Sequence, residues 1–272
     1  VSKLTELRTP DGENAEENAW TITIAEADAE TATAAQLNTI NAATSEDITS
    51  DEIIALAASD LDDLTTLNTN AAGFSDLTNL AAITLTDNGG GDSSVDYGTL
   101  EGIVDSYQGR NAGVAFSFQD EDTIEVGSGE VADYLTDIGN GALALTDQKV
   151  TVSGTTVSVA DAKTIAADTT GVVTASIATG SRVSKLTELR TPDGENAEEN
   201  AWTIAIAEAD AESSAADLNT INAATSVQVD ASEVTTITSS SISDIGTLLT
   251  SAVATTPREF TTGSFDNLAA LS

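Results

Sequence analysis

VSKLTELRTPDGENAEENAWTITI, residues 1–24, returns as residues 183–206 with one difference, Thr23 in the first copy against Ala205 in the second. Near identity over such a stretch, 182 positions apart, makes this chain part of a repeat array, and repeats must be counted before length is converted into domains. The second copy loses one residue near Ala216, so that Leu37 and Ile40 match Leu218 and Ile221 at an offset of 181. Identity then weakens while the apolar frame persists: Ile48, Ile53, Leu56, Leu61, Leu64 and Leu67 match Val229, Val234, Ile237, Ile242, Ile245 and Leu248 at that same offset. Apolar positions that hold while polar ones change are what a shared core predicts. The chain divides accordingly into a first copy (1–87), an intervening part that turns β-rich toward its end (88–182) and a second copy (183–272).

Within the quoted stretch, Val1, Leu4 and Leu7 fall on one helical face, Thr9-Pro10-Asp11-Gly12 reads as a type I turn, and Trp20-Thr21-Ile22-Thr23-Ile24 alternates as a strand does. The helical spacing recurs as Ala34-Leu37-Ile40, Leu61-Leu64-Leu67, Phe74-Leu77-Leu80, Val183-Leu186-Leu189, Ala215-Leu218-Ile221, Ile242-Ile245-Leu248 and Phe265-Leu268-Leu271. Ser59, Ser181 and Ser241 stand before such seams as N-caps would. Helices under about 12 residues are marginal alone in water, so each must dock on its neighbours. In the middle, Asn88 to Asp92 reads as a loop, Leu100-Ile103-Tyr107 and Val131-Tyr134-Ile138 as helices, and Val114-Phe116-Phe118 as a strand. ALALT, KVTVS, TVSVA and GVVTASIA, between Ala142 and Ala178, read as short strands separated at Asp147-Gln148, at Gly154 and over residues 162–170.

Forty-five acidic against nine basic residues give a net charge of −36, which repels phosphate backbones and anionic lipid; nucleic acid is excluded as a partner class. A saline exterior suits this charge, because screening cuts repulsion to about 8 Å at physiological ionic strength. No run approaches the roughly 18 apolar residues of a membrane helix, so no membrane insertion is expected in this region. Cys, Met and His are all absent, which removes disulfides, thiolate and imidazole chemistry and the ordinary zinc and copper ligands. Any metal would be hard and oxygen-bound. The Ca²⁺ candidates are Asp92, Asp96, Asp120 and Asp122, on acidic loops that match neither an EF-hand nor a glycine-rich calcium roll, and solvated charge is the competing reading. No catalytic constellation stands out: acidic residues are common enough for chance carboxylate pairs, and Gly89 to Gly91 lacks the Lys and Ser/Thr of a phosphate loop.

The two tryptophans, Trp20 and Trp202, occupy the same repeat position, and so do four of the nine cations, Lys3 and Arg8 with Lys185 and Arg190. These six are the candidate assembly contacts. For the tryptophans, filling a core otherwise made of Ala, Val and Leu is the alternative; the cations are expected to pair with carboxylates of a neighbouring coil or chain.

AAQLNTINAATS, AADLNTINAATSVQVDASEVTTITSSSISDIGTLLTS and VSVADAKTIAADTTGVVTASIATGS resemble the degenerate repeats of giant, adhesin-like cell-surface proteins of marine cyanobacteria and similar bacteria. The resemblance covers about half the chain, carries no site residues, and implies secretion, exposure at the cell surface and a structural or adhesive role.

The expected fold is an α/β solenoid of short parallel strands with short flanking helices, against a rival string of β-sandwich beads. The expected function is a non-enzymatic structural repeat protein of an extracellular filament, sheath or surface layer, with copies of itself or adjoining repeats as partners and surface polysaccharide as a second partner class. The stalk of a secreted adhesin is the first alternative, and a polysaccharide-acting enzyme on a solenoid scaffold the second.

Overall fold

The computed structural model describes residues 19–75, 77–86, 94–119, 123–189 and 200–253. In chain order its elements are α1 (Ala34–Asn41), β1 (Ala55–Ser59), α2 (Leu61–Thr69), β2 (Ala82–Leu85), β3 (Ser94–Asp96), α3 (Tyr97–Gln108), β4 (Ala115–Phe118), β5 (Thr123–Val126), α4 (Val131–Asn140), β6 (Leu143–Ala144), β7 (Lys149–Val157), α5 (Val159–Asp168), β8 (Val173–Ile177), α6 (Val183–Leu186), β9 (Ala201–Thr203), β10 (Glu212–Ser213), α7 (Ala215–Ala223), β11 (Thr236–Ile237) and α8 (Ile242–Val253). The fold is mixed α/β, with parallel sheets and flanking helices and no closed barrel among the described residues. It divides into two compact units, residues 1–122 with 136–145 and residues 123–135 with 146–272.

In the first unit β1, β2, β4 and β6 pair in parallel, each with the next, in the registers Leu56↔Ile83, Ile83↔Phe116 and Phe116↔Leu143. All four of these side chains are at most 1% exposed, so the registered positions form one continuous apolar row. A second parallel row joins Thr23 to Thr49 and Ile48 to Phe74 through isolated bridges. Helices α1, α2 and α3 pack in succession beside the strands. Tyr107 of α3 donates to Leu64 O of α2 at 3.0 Å and lies edge-on to Phe116, ring centroids 6.1 Å apart.

In the second unit β5, β7, β8 and β9 pair in parallel, and so do β10 and β11. Helix α5 packs on β7 and β8, and α6, α7 and α8 pack in succession. A β-sandwich requires antiparallel sheets, whereas each of these strand pairs is parallel.

Six of the eight described helices start where an N-cap side chain supplies an oxygen to their orphan N–H groups. Thr33 and Gln36 make a reciprocal capping box on α1; Asp60, Asp96, Ser158, Ser214 and Ser241 accept from the backbone N–H three residues on at the starts of α2, α3, α5, α7 and α8. Ser241 is thus the cap its position suggested. Ser59 and Ser181 are not: Asp60 caps α2, and α6 starts without a side-chain cap from its N-cap residue Arg182, while Ser181 bonds back to Ala178 O.

Four other local expectations change. Trp20 to Ile24 do not form a strand, and Thr23 makes only an isolated parallel bridge to Thr49. Phe74, Leu77 and Leu80 are buried as expected but not helical, because Phe74 is extended and its neighbours exchange backbone bonds with Ile48. KVTVS and the residues after it form one strand, β7, that runs through Gly154 at φ +70°, where its register to β8 shifts. Residues 159–168, expected as the tail of a strand and a separator, are helix α5. The seams at Val1 and Phe265, the turn at Pro10 and the loop at Asn88 lie outside the described residues.

Candidate functional site

The sites on this chain are built from its repetition. The short 3₁₀ turns Glu26–Asp28 and Glu208–Asp210 correspond at 182, and the caps Thr33 and Ser214 already correspond at 181. The lost residue therefore falls between Asp210 and Ser214, in the link between turn and cap, rather than inside α7 near Ala216. A deletion there leaves the helix in phase with its neighbours.

Three polar links repeat with this spacing. Ala34 N, an orphan donor of the first turn of α1, finds Ser59 Oγ at 2.9 Å, and Ala215 N finds Ser240 Oγ at 2.9 Å. Asn38 Nδ2 donates to Asp63 O at 2.9 Å, and Asn219 Nδ2 to Asp244 O at 2.9 Å. Thr44 Oγ1 donates to Trp20 O at 2.8 Å, and Thr225 Oγ1 to Trp202 O at 2.8 Å. Each link joins one strand–helix segment to another 23 to 25 residues away. Backbone groups that a lone segment would leave unsatisfied are thus closed by its neighbour. Of the twelve residues in these six links, only the two tryptophans are among the candidates named from sequence; the repeated Asn-Thr-Ile-Asn and the serine at or just beyond the end of each strand were the available signal.

The two tryptophans have different surroundings. Trp202 is fully buried, paired in register with Ala175 of β8, and its indole N–H has no hydrogen-bond partner. Trp20 is half-buried. Trp202 is therefore a core side chain, with the small Ala175 beside it making room for the indole.

Of the candidate cations, Lys185 is described: its Nζ lies 2.6 Å from Glu188 Oε1, three residues on, and Lys163 Nζ of α5 lies 3.7 Å from the other oxygen of the same carboxylate. The two ammonium groups hold the Glu188 carboxyl below its ordinary range, with the Lys185 hydrogen bond the main cause. Lys185 thus pairs within its own segment, and the link to a neighbouring one runs through Lys163. Arg182, also unnoticed in the sequence, reaches Asp210 at 3.5 Å and Ala209 O at 3.0 Å, while the Asp210 carboxylate accepts from Val183 N. Lys3, Arg8 and Arg190 lie outside the described residues.

Among the Ca²⁺ candidates, Asp96 Oδ1 is the cap of α3, accepting from Thr99 N at 2.9 Å and from its hydroxyl at 2.8 Å. Asp92, Asp120 and Asp122 lie outside the described residues. No group of three or more carboxylates able to hold a metal occurs among the described residues. Burial, reinforced by the nearby Asp60 charge, raises the Asp63 carboxyl above its ordinary range, and burial alone raises Asp168. The Tyr134 phenol is pushed upward by burial and then by the Asp168 charge.

These features define a class: a mixed α/β chain whose parallel strands and short helices are stitched in succession by repeated polar links. No family model, curated protein or solved structure matches it. Among the described residues no helix is long and apolar enough to cross a membrane.

Proposed function

We propose that the chain is a length of α/β solenoid serving as a structural repeat of an extracellular filament, sheath or surface layer, in which coils continue end to end or pack laterally. The observation that carries this reading is the recurrence of the three polar links at offsets of 181 and 182, since hydrogen bonds between neighbouring segments recur in this way when one coil geometry is repeated. Parallel strands paired in order, with helices packed in the same order, support the solenoid over sandwich beads. An extracellular, saline setting accounts for the charge of −36 without disulfides. The chain's chemistry is that of assembly rather than catalysis, and its partners are adjoining repeats or copies of itself.

Sedimentation velocity of the purified chain over a wide concentration range in saline buffer, followed by electron microscopy, tests this. Concentration-dependent assembly into filaments or sheets is expected. A species that stays monomeric at every concentration, with and without Ca²⁺, moves the reading to a stalk that projects a binding tip.

A further inference from the structure

Trp20 and Trp202 stand at equivalent positions on equivalent local frames. In both, the backbone carbonyl accepts a threonine hydroxyl from the following segment, and the next inward residues are buried alike, Ile22 and Ile24 at 5% and 1%, Ile204 and Ile206 at 1% and 3%. The inner side of each is complete. The outer sides differ. Residues 201–203 carry β8 on that side, in the registers Thr174↔Ala201, Ala175↔Trp202 and Ser176↔Thr203, and Trp202 is fully buried. Among the described residues no strand pairs with the outer edge of residues 20–23, and Trp20 is half-buried.

This edge also lacks what guards a natural free edge. Sheets that end in solvent present lysines, proline or a bulge, whereas Ala19-Trp20-Thr21-Ile22-Thr23-Ile24 carries no charge and no proline. Among the described residues nothing pairs with this row of backbone donors and acceptors, which lies beside a half-covered indole and has the character of an internal position.

We infer that the outer edge of residues 20–23 seats one further parallel strand of the β8 kind, its Thr-Ala-Ser centre set against the Trp20 indole, supplied by another repeat of this sequence type. The inference rests on the coil-array reading and names the partner of this edge: a segment like residues 123–182, whose last strand is Val-Thr-Ala-Ser-Ile. Small side chains are required opposite Trp20, because a large or charged residue at the position of Ala175 would meet the ring.

The test extends the full chain by a second copy of residues 123–182 placed ahead of Val1, in a Trp202→Phe background that leaves Trp20 as the sole tryptophan. Acrylamide quenching of Trp20 is compared with the unextended Trp202→Phe chain and with Trp202 in a Trp20→Phe chain. The expected result is a several-fold fall in the Trp20 quenching constant, to the level of Trp202, with slow amide exchange in the added β7 and β8 residues. Ala175→Asp in the added copy alone should return Trp20 to its original accessibility. An added segment that exchanges freely, one that folds and leaves Trp20 as quenchable as before, or a shielding of Trp20 that survives Ala175→Asp overturns the inference. Because the added strand is covalently attached, failure of separate chains to assemble would count against the proposed function and leave this result standing.

Discussion

Asn38 and Asn219 perform one task in the two copies, each lending its amide N–H to a carbonyl of the following helix while its own Oδ1 is buried without a partner. Replacing either by Ala removes one net hydrogen bond, so each variant should lose about 1 kcal/mol in urea unfolding, with closely similar losses at the two sites. The tryptophans should differ instead. Trp202→Ala empties a fully buried volume and should cost about 3–5 kcal/mol, whereas Trp20→Ala, from a half-buried site, should cost less than half as much. Trp202→Phe removes an unpartnered buried N–H along with part of the ring and should be the mildest change at that site. The equivalence of the two tryptophans was legible in the sequence, because identical neighbours surround them. Their unequal burial was not, since Trp202 is covered by β8, a strand that lies 25 or more residues before it in sequence. Ser59 was read from the sequence as the cap of α2, a place that Asp60 takes, and its service to Ala34 N depends on three-dimensional register.

Among the elements, the seams at Ala34, Leu61, Ala215 and Ile242 became helices because apolar spacing and a capping side chain agree there. The Phe74 seam has that spacing, yet its backbone bonds go to the row containing Ile48, and tertiary pairing outweighs an intrinsic preference of a few tenths of a kcal/mol per residue. Helix α5 was hidden by the β-branched run before it. Its signal was present in Ser158 and Asp161, joined by Asp161 N to Ser158 Oγ at 3.1 Å, with Val159, Ala162, Ile165 and Ala166 on one buried face. Where α5 returns to β8, Gly171 lies so close to Asp147 and Gln148 that a Cβ would fall 2.4 Å from both carbonyl oxygens. Gly171→Ala should therefore destabilise the protein by about 1–3 kcal/mol by thermal unfolding, with the largest gain in amide exchange across β7 and β8. Asp168 sits at the C-terminal end of α5, where a negative charge meets the negative end of the helix dipole as well as a burial penalty. Asp168→Asn should raise the melting temperature at neutral pH, and the gain should shrink as the wild-type carboxyl is protonated in acid.

At the scale of the whole molecule, the charge of −36 sets the response to conditions. Asp63 and Asp168 bind protons more readily folded than unfolded, so their contribution to stability grows as pH falls from neutral through their raised values toward the ordinary 3.8. Glu188 acts oppositely, its stabilisation being present above the ordinary 4.5 and lost as pH falls through its lowered folded value. Relief of general repulsion adds to the first effect, so the melting temperature should be higher near about pH 5 than near about pH 7.5. About 1 M NaCl, which shortens the Debye length to about 3 Å, should narrow the difference. The duplication, the parallel strands and the flanking helices could all be inferred from residue pattern, whereas the pairing order depends on contacts that no single segment encodes. The central claim, coil-on-coil continuation of this geometry, is tested most directly by cryo-electron microscopy of the native material. It predicts parallel strands advancing about 4.8 Å per coil along one axis, with the same pairing carried past each repeat; separate antiparallel sandwich beads joined by linkers would contradict it.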